Sequence, residues 1–138
     1  MLDSNVIVSG VIYPLSKPGT ILRYWEKRYY RLAISTYILR EVEYALAEPK
    51  ITSKYQLLSS DIHSLVNGLK NYSKLVRIQP SGHLHIRDPK DSEIVATALV
   101  SHANYLVTGD KDILTFTEQP KSLQIITPSH FHSLITNS

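Results

Sequence analysis

No cysteine occurs among the 138 residues, which removes disulfide frameworks, thiolate zinc sites, iron–sulfur clusters and cysteine nucleophiles together. That absence fits a reducing compartment. No apolar run approaches the roughly 20 residues that a membrane-spanning helix needs, and Met1-Leu2-Asp3 has neither the basic nor the apolar region of a secretory signal. The expectation is a cytoplasmic protein with no membrane association. Internal repeats, low-complexity tracts and linker-like shifts in composition are missing as well, so one domain is expected over residues 1–138. What remains is an ordinary globular composition, 43% hydrophobic and 20% charged with 5 Gly and 7 Pro. A chain of this length buries about 70% of its unfolded surface, enough for a proper core. Fifteen Lys and Arg against 12 Asp and Glu leave a formal charge of +3, a weak pointer toward a polyanionic partner.

Helical and extended patterns alternate along the chain. Asn5 to Tyr13 is a β-branched apolar run that periodicity alone assigns equally well to a strand or to the first turns of a helix. Pro18 to Arg28 reads as a helix capped by Ser16, with Ile21, Leu22 and Trp25 on one face. A short strand at 32–34 precedes a helix capped by Ser35 or Thr36, apolar at Ile38, Leu39, Val42, Ala45 and Leu46 and stopped at Pro49. Ser59 to Tyr72 is a further helix, weakened by Gly68, and Leu75 to Ile78 a strand. A polar connection over 80–89 leads into a helix from Asp91 to His102, a strand at 105–108, a short piece around Ile113, a strand at 123–127 and a closing helix over 128–135. Short apolar strands separated by helices predict a parallel sheet covered on both faces, an α/β domain.

In such sheets the functional groups collect beyond the carboxyl ends of the strands. Asp110 follows one strand by two residues, Glu41 lies on the helix after another, and Asp91 opens the helix after a third. Asp3 joins them only if the first strand ends at Leu2 or Asp3 and the run from Asn5 is the helix that follows. Pairing of that strand with the one ending at Thr108 would set their tips about 4.8 Å apart and bring Asp3 toward Asp110. Clustered carboxylates need protons or divalent cations to neutralise them, and all-oxygen ligands favour Mg²⁺ or Mn²⁺. A metal so held beside a basic surface points to phosphodiester hydrolysis. With the four acids neutralised, 8 acids face 15 bases, a firmer polyanion-binding balance.

Asp3-Ser4-Asn5-Val6-Ile7-Val8-Ser9, Leu39-Arg40-Glu41-Val42, Asp88-Pro89-Lys90-Asp91 with Ile94 to Ala98, and Leu106-Val107-Thr108-Gly109-Asp110-Lys111-Asp112-Ile113-Leu114 resemble, in this order, the motifs of PIN-domain nucleases. The likeness extends over the whole chain and is strongest to stand-alone prokaryotic members related to the VapC toxins. It implies a three-layer α/β/α fold with a central, mostly parallel five-stranded sheet. It also implies an Mg²⁺- or Mn²⁺-dependent endoribonuclease, the toxin of a type II toxin–antitoxin pair, with RNA as substrate, a cognate antitoxin as partner and homodimerisation. On this resemblance Asp3, Asp91 and Asp110 are the core metal ligands, Glu41 holds a second ion or its water, Asn5 and Thr108 are polar neighbours, and Asp112 is a further candidate ligand. Family members place several strand residues before the first Asp, whereas Met1 and Leu2 alone precede Asp3. Either the first strand is unusually short or the chain starts upstream of Met1. A housekeeping RNA-processing nuclease and a non-cleaving RNA-binding or regulatory module are the alternative readings.

Each acid has a plainer alternative: a terminal residue for Asp3, a solvated helix position for Glu41, a helix-entry acid for Asp91 and a turn residue for Asp110. The segment Arg23, Tyr24, Trp25, Lys27, Arg28, Tyr29, Tyr30, Arg31 interleaves cations with aromatics, as RNA contacts do. Arg23, Lys27, Arg28 and Arg31 are therefore candidate RNA contacts, against a plain solvated face or a protein-partner surface, while Trp25 reads as a core anchor. His83-x-His85 and His130-x-His132 read as surface histidines.

Overall fold

A computed structural model of the chain describes residues 1–77 and 89–137, with the side chains of 89–91 outside that description. The connection predicted over 80–89, its Asp88 and the His83-x-His85 pair therefore lie outside the described residues, apart from the backbone of Pro89. Among the described residues the run from Asn5 is helical: α1 spans Ser4–Ile12 and is capped by Asp3, whose carboxylate accepts from the Ser4 amide. Its inward face, Val6, Ile7 and Gly10, packs on α2, Lys17–Glu26. Gly10 is required by that approach, because a Cβ there would lie 2.6 Å from Leu22 Cδ1 and 2.8 Å from the Pro18 carbonyl. Ser16 caps α2 as its position predicts, accepting from the Gly19 amide at 3.2 Å.

Strand β1, Ala33–Ser35, runs directly into α3, Thr36–Ala47, through the Ser35 hydroxyl, which accepts from the Ile38 amide at 2.9 Å. Helix α3 stops just before Pro49, as predicted, and Pro49 then starts new helical structure. It occupies the first turn of a separate short helix, α4, Pro49–Lys54, where its missing N–H costs nothing. Helix α5, Ser59–Tyr72, has the predicted bounds, and β2, Lys74–Val76, follows it. Then come α6, Pro89–Val100, β3, Tyr105–Val107, α7, Lys111–Leu114, β4, Gln124–Ile126, and α8, Pro128–Thr136.

All strand pairing among the described residues is parallel, in agreement with an α/β fold, but the expected five-stranded sheet is not formed. Strands β1 and β2 make one two-stranded sheet and β3 and β4 another. The segment that would join them is the first strand, and it is one residue deep: Leu2 bridges Val107 in parallel. Asp3 N–H donates to the Val107 carbonyl and Val107 N–H to the Met1 carbonyl, both at 2.9 Å. The next residue already belongs to α1, so the extended stretch is too short to pair on its other side with β1. Side-chain packing closes the gap instead. Leu2, Ile34 and Leu106 are all essentially inaccessible and belong to one core with Ile7, Ile38 and Val95.

Candidate metal centre

Two strand ends and two helix starts converge on Asp3. Asp3 is 4% exposed because Leu2 is paired beside β3 and the chain turns at once into α1. One carboxylate oxygen, Oδ1, accepts from the Ser4 amide at 2.7 Å; the other, Oδ2, accepts from the Thr108 hydroxyl at 2.7 Å. Thr108, fully buried just beyond β3, accepts in turn from the Asp110 amide at 3.0 Å. Asp110 caps α7, its Oδ1 accepting from the Asp112 amide at 2.9 Å. On the other side the Ser4 hydroxyl donates to Glu41 Oε1 at 3.1 Å. Glu41 stands on α3, whose start is fixed by the Ser35 cap at the end of β1.

Asp3, Glu41 and Asp110 are thus joined at the carboxyl ends of the strands through two hydroxyls, those of Ser4 and Thr108. Ser4 is a site member that sequence reasoning missed; it was legible only as the residue after Asp3 in the helix-starting turn. Asn5, by contrast, is exposed on the first turn of α1, and Asp112 is half-buried in α7. Asp91 lies in the first turn of α6, and its side chain is outside the described residues. Burial raises the Asp3 pKa above the ordinary carboxylate value, and the charge of Asp110 adds to the rise; the Thr108 and Ser4 hydrogen bonds oppose it. Among the described residues no Lys or Arg is paired with Asp3, Glu41 or Asp110; an ion pair between Lys70 and Glu43, at 3.6 Å, lies elsewhere.

These residues fit a hard divalent cation in donor type and in uncompensated charge. Among the described residues, which leave out the Asp91 side chain, no three acidic or imidazole groups stand close enough to share an ion. The candidate RNA contacts are placed apart from the acids. Arg23 donates to the Pro14 carbonyl and, at 2.9 Å, to the Thr20 hydroxyl, whereas Arg28 and Arg31 line a cavity beside Leu32 and Lys74, at the amino ends of β1 and β2. Trp25 is buried against the core as predicted. His130 is exposed and His132 half-buried on α8.

The fold and the site define an α/β protein that gathers carboxylates where parallel strands end, an arrangement suited to divalent cations and phosphate esters. A family model of the PIN domain, PIN_3, matches residues 1–112, and the chain belongs to that family. PIN domains are typically nucleases and generally use divalent metal ions. The chain is 29% identical over 126 residues to an uncharacterised protein, MJ1680, of Methanocaldococcus jannaschii, covering 91% of this chain and 79% of that protein. No solved structure matches the chain. No helix among the described residues is long and apolar enough to cross a membrane.

Proposed function

We propose that this PIN-domain protein is an endoribonuclease that hydrolyses RNA with Mg²⁺ or Mn²⁺ bound at the carboxyl end of its strands. The observation that supports this most directly is the buried Asp3 carboxylate, tied by Thr108 to Asp110 and by Ser4 to Glu41. Asp3, Asp91 and Asp110 would hold the ion, with Glu41 and Asp112 as outer or second-ion ligands. When bound, a divalent cation would supply neutralisation of these carboxylates and polarisation of a phosphodiester. The residues of this chain do the positioning. Thr108 orients Asp3 and restrains the Asp110 backbone through one hydroxyl, and Ser4 keeps Glu41 beside the same carboxylate. Asn5, exposed at the rim, offers an amide to a phosphate or a ribose.

On the likeness to VapC-type toxins, the expected setting is a toxin–antitoxin pair in the cytoplasm, with a cognate antitoxin as partner and a homodimer as the assembly. A non-cleaving RNA-binding module is the second reading, favoured by the shortness of the strand that carries Asp3, a single bridge between Leu2 and Val107.

The test is cleavage of a mixed RNA pool with Mg²⁺ or Mn²⁺, with EDTA, and with Asp3→Asn, Asp91→Asn and Asp110→Asn. Losing a supporting partner of a metal ligand typically costs 10–100-fold, so loss of a ligand itself is expected to cost about a hundredfold or more. Cleavage that persists in EDTA and in all three variants would sink the proposal. RNA binding without cleavage would select the second reading, and growth arrest relieved by a neighbouring gene product would select the toxin over a housekeeping nuclease.

A further inference from the structure

At the opposite end of the strands a second concavity opens, independent of the carboxylates. It measures about 850 Å³ and is bounded by the end of α2, the 28–32 segment, α5 and the start of β2, within the size range of small-molecule sites. Its walls differ in chemistry. One carries Arg28, Arg31 and Lys74; the other, successive turns of α5, carries Asp61, Ser64, Gly68 and Tyr72. Among the described residues none of these three cations is in an ion pair. Trp25 lines the floor and Tyr72, 74% exposed, stands at the rim. Gly68 keeps the space open, since a Cβ there would meet only Trp25 Cη2, at 3.9 Å.

Arg28 adds an independent observation. It is the residue after the cap of α2, where its N–H donates to the Trp25 carbonyl at 2.8 Å and the Tyr29 N–H to the Tyr24 carbonyl at 2.9 Å. That termination needs a left-handed residue, usually glycine, yet Arg28 adopts φ 64°. The same left-handed ending occurs at Gln56 and His102; at Arg28 it places the residue in the cavity lining.

We infer that this groove binds a nucleotide, its base against Trp25 and Tyr72 and its phosphates on Arg28 and Arg31, while Lys74, whose Nζ donates to the Ser101 carbonyl at 3.5 Å, adds positive charge at the edge. Asp61 and Ser64, one turn apart, accept from the ribose hydroxyls, and Glu26 at the edge accepts from base or sugar donors. Phosphate on paired guanidinium groups and a base on an aromatic face are the two strongest recognition modes this residue set offers. The nucleotide is either free in solution or one unit of a single-stranded nucleic acid.

Trp25 is the one tryptophan in the sequence, so tryptophan fluorescence reports on this groove alone. The experiment titrates the full chain, in EDTA so that no ion recruits nucleotide to the carboxylates, with ATP, AMP, adenosine, inorganic phosphate and an eight-residue oligoadenylate, and repeats each by equilibrium dialysis. Saturable binding of ATP or AMP identifies the free nucleotide, and binding of the oligoadenylate alone identifies the strand; both support the inference. Arg28→Gly, which relieves the left-handed strain and keeps the fold, and Arg31→Gln are each expected to weaken binding about tenfold. Gly68→Leu is expected to fill the groove and abolish it. No retention of any nucleotide, inorganic phosphate binding as tightly as nucleotide, or affinity unchanged in both arginine variants would overturn the inference.

Discussion

Burying a carboxylate almost completely costs the protein stability, and at Asp3 that penalty has a definite pH dependence. Its folded pKa lies above the unfolded value of 3.8, so the folded state holds the proton more tightly. Stability is then fully present below the unfolded pKa and falls as pH rises through the window from 3.8 to the raised value. Asp3→Asn removes the charge and keeps an oxygen for the Ser4 amide. In metal-free protein the variant is expected to be more stable than the parent at pH 7, by about 0.5–2 kcal/mol, as relief of functional-site strain commonly is. The difference should shrink toward pH 4. Urea melts at the two pH values check this, and a gap that does not change with pH would refute it. A second residue-scale cost follows from the scarcity of glycine. Arg28, Gln56 and His102 each end a helix at φ between 52° and 64°. Gln56 follows α4, with Leu57 N–H donating to the Thr52 carbonyl at 3.0 Å, and it lines neither the groove nor the acidic end. Gln56→Gly should therefore raise stability by about 1 kcal/mol, read as a higher melting temperature with nucleotide binding unchanged.

Within elements, local chemistry and tertiary demands agree at some positions and conflict at others. The Ser35 hydroxyl is 3% exposed and caps α3, so Ser35→Ala should cost about 1 kcal/mol, together with some loss of cleavage as Glu41 shifts; a chemical melt and the RNA assay measure both. Gly68 lowers the helix propensity of α5 by about 0.8–1.0 kcal/mol relative to Ala, and the added Cβ has room. Gly68→Ala should therefore stabilise by nearly that amount. Elements set by near neighbours were legible in the sequence: α5 over Ser59–Tyr72, the Ser16 and Ser35 caps, and the strand preceding Asp110. Pro49 was legible as the stop of α3, which ends at Ala47, whereas the short helix α4 that it starts was not, because proline ends one helix and starts another with the same φ. The five-stranded sheet was an expectation about pairing, and pairing joins residues as distant as Leu2 and Val107, which no local pattern encodes. At the site, Asp3 and Asp110 were legible from strand ends and motif order, whereas Ser4 was not, because its bond to Glu41 spans 37 positions. The groove was half-legible: Arg28 and Arg31 stood out as basic residues among aromatics, but Tyr72 and Lys74 come from a remote helix and strand.

At the scale of the molecule the candidate metal ligands gather where the strands finish and Arg28 and Arg31 lie where they begin, and Leu2 is part of the core packing that joins the two small sheets. Leu2 bridges Val107 on one side, lies in one core with Ile34 on the other, and directly precedes Asp3. Removing its side chain should therefore do more than leave a cavity. Leu2→Ala is expected to cost about 2–5 kcal/mol in stability, the usual range for a buried leucine, and in addition to loosen Asp3 relative to Thr108 and weaken Mn²⁺ binding. Leu69→Ala is the matched control, equally inaccessible but on α5, away from the acids. If Leu2 couples the sheet to the metal centre, both variants lose comparable stability in EDTA, but saturating Mn²⁺ restores less of it to Leu2→Ala, because stabilisation by a bound ion scales with its affinity for the folded state. Equal recovery in the two variants would show that Asp3 is held by its hydrogen bonds to Ser4 and Thr108 alone, with the sheet bridge contributing only to the core.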